Sequence, residues 1–394
     1  MMTDNSFVLN SDYRSVLDAA DRYAREILHP LWQKMDAEDW YPEHMTPKLG
    51  SDGWLGITVP EKQGGAGMDF MSQCLVTQAF HRWNHSIGAI VGAHDNLCLN
   101  NILRNASPSA SAAYIPDMIA GTKVGALGMT EPGAGSDAIG SMATTARREG
   151  DKYILNGTKI FCSNGPFADV VLAYAKTAKE RGAHGVSAFI VDANAPGFSV
   201  AQNLPKMGWR GQHTGEVVFD ECEVPVANLI GEEDNGIAVM MSGLDLERIL
   251  CSFQCLGMAE RALELSLEYA KDRVQFGKPI ATFQMVQDML ASIYTTVESM
   301  RLMCYRGASF CNDLEQGGGG RGEAHKVSAA TFLHCGEGVK DVTDKAMQIW
   351  GGYGYITESE INYLFRGARL MTIGGGTVQI RKIIIAQELL QYTG

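Results

Sequence analysis

The feature that most limits the possible folds is a change of residue periodicity at two points along the chain. Residues 11 to about 124 carry apolar side chains at three- and four-residue spacing, which indicates amphipathic helices. From about 125 to 235 the chain consists of short segments rich in β-branched and aromatic residues, typical of strands. Longer helical patterns return from about 236. The sequence therefore predicts a mostly α protein with a central β domain, divided into residues 1–124, 125–235 and 236–394.

Local signals predict where some of these elements begin and end. Helices and strands occur in blocks rather than in alternation, which argues against the parallel sheet of nicotinamide-binding folds. Asn156-Gly157 predicts a hairpin turn between two strand arms. Ser242 and Asp245 fit a capping pattern and predict that the first long helix of the third domain begins there. The glycine tract at 317–322 predicts a surface loop between helices.

Charge and composition narrow the class of partner. The formal net charge is −12, so neither nucleic acid nor an anionic membrane is expected as the main partner. The N-terminus lacks a signal-peptide core and no apolar run has the length of a membrane span, so we expect a cytoplasmic protein. The nine cysteines include no C-x-x-C pair and are expected to be reduced and mostly buried. His81 and His85 have no third ligand nearby, so no metal site is expected.

Five separated segments combine residue types that suit a bound ligand, namely 125–140, 160–170, 242–250, 272–287 and 348–382. The first is a turn-rich loop that offers backbone N–H donors, and the last contains glycine clusters that permit close backbone approach. In the second, Phe161 and Ser163 could stack on a ring and donate one hydrogen bond. In the third, Asp245, Glu247 and Arg248 crowd the predicted helix start. They are either exposed charges favoured by the helix dipole or side chains aimed into a cleft.

In this order and spacing, the five segments resemble the acyl-CoA dehydrogenase family over almost the whole chain. The resemblance implies an N-terminal helical domain, a β-barrel-like middle domain and a C-terminal four-helix bundle, assembled as a homotetramer with bound FAD. Within the family the chain is similar to the isovaleryl-CoA dehydrogenase branch, through GAHDNLCLNNILRN at 92–105, SGLDLER at 242–248 and IGGGT at 373–377. Most members carry the catalytic glutamate in the last segment, where this chain has Gly375. The resemblance therefore implies that the catalytic base is Glu247.

The resemblance also implies which residues contact FAD. The flavin and its pyrophosphate should be bordered by Leu127, Met129, Thr130, Gly135 and Ser136. Phe161 stands where the family often has a stacking tryptophan, and Ser163 should donate its hydroxyl near the flavin N5. The FAD of a neighbouring subunit should be reached by Arg273, Gln284, Gln348, Gly351 and Gly352. Further FAD contacts are implied for Thr377 and Gln379.

Contacts with acyl-CoA are implied for a second set of residues: Ser136, His184, Asp245, Leu246 and Arg248. Gly375 and Gly376 leave space beside the reacting carbons, which suits a methyl branch. The floor of the pocket should be lined by Ala89, Ala93 and Leu97. The isovaleryl branch has leucine where Ala89 stands, so a bulkier branched acyl group is expected to fit. Asp95 replaces a serine of that branch and is expected to be an exposed helix residue.

The resulting hypothesis is FAD-dependent α,β-dehydrogenation of a short or medium branched-chain acyl-CoA to the 2,3-enoyl-CoA. Electrons would then pass to an electron-transferring flavoprotein. Three alternatives remain open: an acyl-CoA oxidase that uses O2, a flavin-dependent lyase or desulfinase on the same fold, and a non-enzymatic helical scaffold. Glu247 disfavours the lyase, because such relatives lack a base.

Overall fold

A computed structural model describes residues 9–312 and 320–391. The N-terminal part is helical, and several of its helices begin where a polar side chain accepts a hydrogen bond from a first-turn backbone N–H, as Asn10, Asp69 and Ser107 do. A π-helical segment, Gly92–Leu99, connects two of the helices. The α-helices are α1 (Ser11–Tyr23), α2 (Trp32–Glu38), α3 (Met45–Ser51), α4 (Phe70–Trp83), α5 (His85–Val91), α6 (Asn100–Asn105) and α7 (Pro108–Ile119).

The middle part of the chain forms a mixed, eight-stranded sheet. Its strands are β1 (Gly125–Gly128), β2 (Thr145–Glu149), β3 (Lys152–Ser163), β4 (Val170–Lys176), β5 (Val186–Asp192), β6 (Phe198–Asn203), β7 (Thr214–Pro225) and β8 (Leu229–Ile230). The hydrogen-bonded order is β6-β7-β3-β2-β4-β5-β8, with β1 parallel to β4. Strands β4 and β5 are apolar at nearly every position and buried on both faces, so they form the centre of this part's core.

The hairpin turn predicted at Asn156-Gly157 is wrong, because β3 runs straight through both residues. The turn between β2 and β3 lies seven residues earlier, at Gly150, which has φ +63°. Gly157 lies at a bulge opposite β7, where a Cβ would stand 2.4 Å from Thr144 Oγ1. Asn156 uses its side chain to accept from the Glu221 backbone N–H across the sheet. Asparagine and glycine therefore serve the interior of the sheet here rather than a turn.

The C-terminal part is built on three long helices packed around one apolar core, with shorter helices beside them. Its elements are α8 (Gly236–Asp272), β9 (Val274–Gln275), β10 (Lys278–Pro279), α9 (Gln284–Asn312), α10 (Gly322–Trp350), α11 (Gly352–Tyr355), α12 (Glu360–Ala368) and α13 (Val378–Leu390). The predicted order of helical, β and helical domains is confirmed. Of the predicted 317–322 loop, residues 317–319 lie outside the described residues. No helix within the described ranges is long and apolar enough to cross a membrane.

The predicted start of the first C-terminal helix is also wrong. Helix α8 begins at Gly236, two turns before the Ser242 and Asp245 pattern. The Ser242 hydroxyl donates to Val239 O inside the helix and accepts from Asn105 of α6, so it does not cap a helix end. Glu247 consequently lies about three turns into a packed helix, where the free N–H groups of the helix end do not reach it.

Candidate active site

Glu247 is an acidic side chain enclosed by the protein but not sealed from solvent. It lies on α8, and its side chain is half-buried. Loss of hydration in this position raises the pKa of Glu247 from 4.5 to about 7, although the positive charges of Arg248 and Arg381 oppose that rise. A carboxylate with a pKa near neutrality is suited to accept a proton from a weak carbon acid. The residue therefore has the electrostatics of a general base.

Three side chains along one face of α8 are partly accessible to solvent. Between Arg248 and Ala259, only Cys251 and Gln254 are not buried. They follow Glu247 by four and seven residues, and this spacing places all three on one face of the helix. Every cysteine is a free thiol, and Cys251 is the one that is not buried. We call Glu247, Cys251 and Gln254 the α8 stripe; it forms one wall of a cleft.

The opposite wall of the cleft is formed by α5, the π-helical segment and α6, which run antiparallel to α8. A Cβ on Gly92 would lie 3.2 Å from Gln254 Nε2, and a Cβ on Gly243 would lie 3.0 Å from Asn101 Oδ1. Between these two contacts the π-helical segment faces the part of α8 that carries Glu247. The predicted pocket-floor residues belong to this wall, with Ala89 and Ala93 buried and Leu97 half-buried.

The glycine loop between α12 and α13 closes a third side of the cleft. Gly375 has φ +63°, and a Cβ there would stand 2.8 Å from Phe332 Cε1 and 3.8 Å from Cys251 Sγ. The loop is held by Arg381, which is fully buried and donates to Gly374 O at 2.7 Å and to Phe332 O at 3.2 Å. A glutamate at position 375 would collide with Phe332. This loop therefore carries no second carboxylate that could compete with Glu247 as the base.

Three predicted substrate residues lie at or behind the α8 stripe. The Asp245 carboxylate is fully buried and accepts from Arg248 at 3.0 Å and from Ser328 Oγ at 3.0 Å, with His325 Nδ1 at 2.8 Å. Leu246 is partly buried against the C-terminal core. Asp245 therefore helps to position Arg248, whose guanidinium retains an unpaired Nε.

Residues predicted to border the flavin come together where the chain leaves β1. Cys162 Sγ donates to Leu127 O at 3.1 Å, and Ile160 N donates to Thr130 O at 2.8 Å, so the loop runs alongside the end of β3. At that end Phe161 adopts φ +57° and leaves 65% of its surface exposed, beside the half-buried Ser163. An exposed aromatic ring in a strained backbone position is costly unless something covers it. The arrangement fits a flat, aromatic cofactor such as a flavin.

A buried ion pair fixes the shape of this loop. Lys159 Nζ lies 2.8 Å from Glu131 Oε1 and also donates to Met129 O at 3.3 Å. The Glu131 carboxylate accepts in addition from Ala143 N and Thr144 N, which ties the two ends of the 131–144 loop together. Both charges of the pair are buried. Of the other predicted contacts nearby, Gly135, Ser136 and His184 are all exposed.

Further predicted FAD contacts meet at a separate cavity on the C-terminal part. Arg273, Gly351 and Gly352 line a cavity of about 460 Å³ together with Tyr353 and other side chains. Its lining residues do not include Gln284 or Gln348, which are exposed. Thr377 caps the start of α13 by accepting from Ile380 N, and Gln379 is exposed on the first turn of that helix.

Sequence reasoning missed three residues of the cleft and misplaced a fourth. Cys251, Gln254 and Arg381 were not anticipated, although two of them follow Glu247 at helical spacing on an otherwise apolar stretch. Asp95 was expected to be exposed, and this is wrong because it is 2% exposed. Its carboxylate accepts from Gly56 N at 3.1 Å, and burial raises its pKa to about 7.

The comparisons with known proteins agree with this geometry. Three acyl-CoA dehydrogenase domains match the chain: the N-terminal domain over residues 10–122, the middle domain over 126–222 and the C-terminal domain over 234–390. Mitochondrial isovaleryl-CoA dehydrogenase of Oryza sativa subsp. japonica is 38% identical over 98% of this chain and 93% of its own. Butyryl-CoA dehydrogenase from Megasphaera elsdenii is similar in structure, with a TM-score of 0.91 at 33% identity over 99% of this chain and 100% of its own. A structure of PigA with FAD and proline gives a TM-score of 0.92 at 30% identity over 98% and 99%.

Proposed function

Because this chain belongs to the acyl-CoA dehydrogenase family and is an FAD-dependent oxidoreductase, we propose that it oxidises a branched-chain acyl-CoA to the 2,3-enoyl-CoA with Glu247 as the base. The single observation that carries the proposal is the position of Glu247. It stands in the wall of a cleft, with a pKa raised to about 7 by burial and with no competing carboxylate on the facing loop.

Glu247 would remove the proton from the α-carbon of the thioester. A carboxylate in water is too weak a base for this carbon. Enclosure raises the pKa of Glu247 and so narrows the gap between the pKa of the carboxyl group and the pKa of the α-carbon. Arg248 and Arg381 limit the rise, so a useful fraction of Glu247 stays ionised near neutral pH. The proton ends on the Glu247 carboxylate.

The flavin would be held by the residues beside β3. Phe161 offers its exposed ring face and Ser163 its hydroxyl, and the Leu127–Thr130 backbone runs alongside them. When bound, FAD supplies the acceptor for the hydride that leaves the β-carbon. The Lys159–Glu131 pair would keep the loop in one shape, so that the ring has a preformed surface to bind.

The acyl group is proposed to be branched near the β-carbon. Gly375 and Gly376 have no side chains, which leaves room for the acyl group on the loop that faces Cys251. On the opposite wall, the small side chains of Ala89 and Ala93 also leave room. The similarity to isovaleryl-CoA dehydrogenase supports this substrate class. A preference for straight, long acyl chains over branched ones would contradict it.

The proposal also includes an electron acceptor and an oligomeric state. The acceptor is an electron-transferring flavoprotein, and the assembly is a homotetramer. Large apolar side chains on the C-terminal part are exposed in the single chain, including Phe276 at 93%, Met285 at 77% and Tyr355 at 81%. Such a surface is costly in water and suits burial between subunits. Arg273, beside the cavity on that part, would then face the FAD of a neighbour. Stoichiometric peroxide during turnover would instead indicate an oxidase.

The test of the base is Glu247→Gln, which preserves the size of the side chain. We expect the variant to keep its flavin absorbance and to bind acyl-CoA, but to reduce FAD more slowly by about a hundred- to ten-thousand-fold under anaerobic conditions. Glu268→Gln, an exposed carboxylate on the same helix, serves as the matched control and should bleach normally. Near-normal bleaching by Glu247→Gln would refute the assignment.

A further inference from the structure

Gln254 is a polar side chain in a part of α8 where nothing in the protein satisfies it. Within residues 9–312 and 320–391, neither amide atom of Gln254 has a hydrogen-bond partner, and neither is among the fully buried unpaired atoms. Its amide is therefore partly accessible, on the side of α8 that faces Gly92. The nearest feature on the facing wall is Gly92, whose missing side chain leaves room for the amide, since a Cβ there would stand 3.2 Å from Nε2.

The surroundings make an unpaired amide at this position unusual. Gln254 is flanked by buried apolar residues, including Phe253 and Leu256, and the Ala89 floor belongs to the same apolar cluster. An amide next to an apolar ligand would lose its hydrogen bonds to water without compensation, which typically costs about 1–3 kcal/mol. On the facing wall, Asn96 carries a second amide that has no hydrogen-bond partner among the described residues. Two unpaired amides suit a ligand that offers polar atoms.

Resting on the proposed function, we propose that the acyl group carries a neutral oxygen substituent, a hydroxyl or a carbonyl, that hydrogen-bonds to Gln254. The group stands well beyond the reacting carbons, since residues 247 and 254 are separated by about 10 Å along the helix axis. A carboxylate is disfavoured because residues 85–99 and 249–259 contain no lysine or arginine, and the arginines at the cleft already have acceptors: Arg248 donates to Asp245, and Arg381 donates to backbone carbonyls. Gln254 is thus a specificity-determining residue at the far end of the pocket.

The test compares matched pairs of acyl-CoAs that differ only by a hydroxyl or keto group on the distal carbons, with chain length and branching varied between pairs. Anaerobic flavin bleaching gives, for each thioester, the reduction rate at saturation and the apparent Kd, and their ratio measures the preference. We expect the wild-type protein to prefer the oxygenated member of at least one pair by about tenfold, as one neutral hydrogen bond and its desolvation allow. Gln254→Leu should abolish or reverse this preference, with a larger effect on the apparent Kd of the oxygenated thioester than on its bleaching rate at saturation.

Gln63→Leu provides the matched control, because Gln63 is an exposed glutamine in the N-terminal part. It should retain the wild-type preference. An equal response of wild type and Gln254→Leu to both members of every pair would overturn the inference, as would a consistent wild-type preference for the unsubstituted chains. If no acyl-CoA of either kind bleaches the flavin, the proposed function itself has failed, and that result is distinct from bleaching without discrimination.

Discussion

The buried position of Glu247 should make the protein less stable than it could be, in a way that depends on pH. Its pKa is 4.5 in an unfolded chain and about 7 in the folded protein. The folded state therefore holds the proton more tightly, and stability decreases as pH rises from 4.5 to 7. A difference of one in pKa corresponds to about 1.4 kcal/mol. The loss of unfolding free energy therefore reaches roughly 3 kcal/mol above pH 7 and is nearly absent below pH 4.5. Glu247→Gln, which cannot ionise, should recover most of it.

The assay is denaturant unfolding of the FAD-bound wild type and variant at about pH 5 and pH 8, read from the helical signal. We expect Glu247→Gln to be more stable by roughly 2–3 kcal/mol at the higher pH and by less than about 1 kcal/mol at the lower one. Glu268→Gln should give the same small difference at both, since its side chain is exposed. A stability gain that is absent at pH 8, or equal at both pH values, would show that burial does not penalise the Glu247 charge.

Three further perturbations follow from the described contacts. Lys159→Met removes the cation from a buried pair and should cost about 3–5 kcal/mol in denaturant unfolding and speed FAD loss; unchanged unfolding would mean that Glu131 finds another partner. Burial lowers the pKa of His94 from 6.5 to about 4, so stability should be full above pH 6.5 and fall by about 3 kcal/mol towards pH 4. His94→Gln should flatten that decline in a pH series of melting temperatures, whereas an equally steep decline would assign it to other groups. Gly375→Ala should cost about 1–3 kcal/mol through its positive φ and contact with Phe332, and Phe332→Leu should recover part of it; additive losses would argue against the clash.

The sequence alone identified the order of domains and the FAD-dependent family, and it supplied the prediction of which residues lie beside the flavin. These depend on periodicity and on motifs that are contiguous in the chain, such as the loop at 125–140 and the Phe161-x-Ser163 pair. These segments also come together within one sheet, in which β1 pairs with β4, β4 with β2, and β2 with β3. The proposal that Glu247 is the base came from the same kind of comparison, through the absence of a glutamate at Gly375.

What could not be predicted depends on partners far away in the chain. Ser242 was interpreted as a cap because its contact with Asn105, 137 residues away in the chain, cannot be inferred from local spacing. Asp95 was expected in solvent, but it accepts from Gly56 N, 39 residues earlier. Gly157 suggested a turn because nothing in its neighbourhood reveals the close approach of Thr144. In each case a long-range contact overrides a local preference.

The placement of Glu247 on a 37-residue helix rather than on a glycine loop has a consequence for how this enzyme can change. A helix packed on several sides keeps its backbone nearly fixed. The loop contains two successive glycines with positive φ, so few residues can replace them. The same loop is nevertheless easily reshaped by insertions beside these glycines. Under the proposed function, proton abstraction and substrate shape would belong to different pieces of backbone. New acyl groups could then be accommodated at the loop while the Glu247 carboxylate keeps its position.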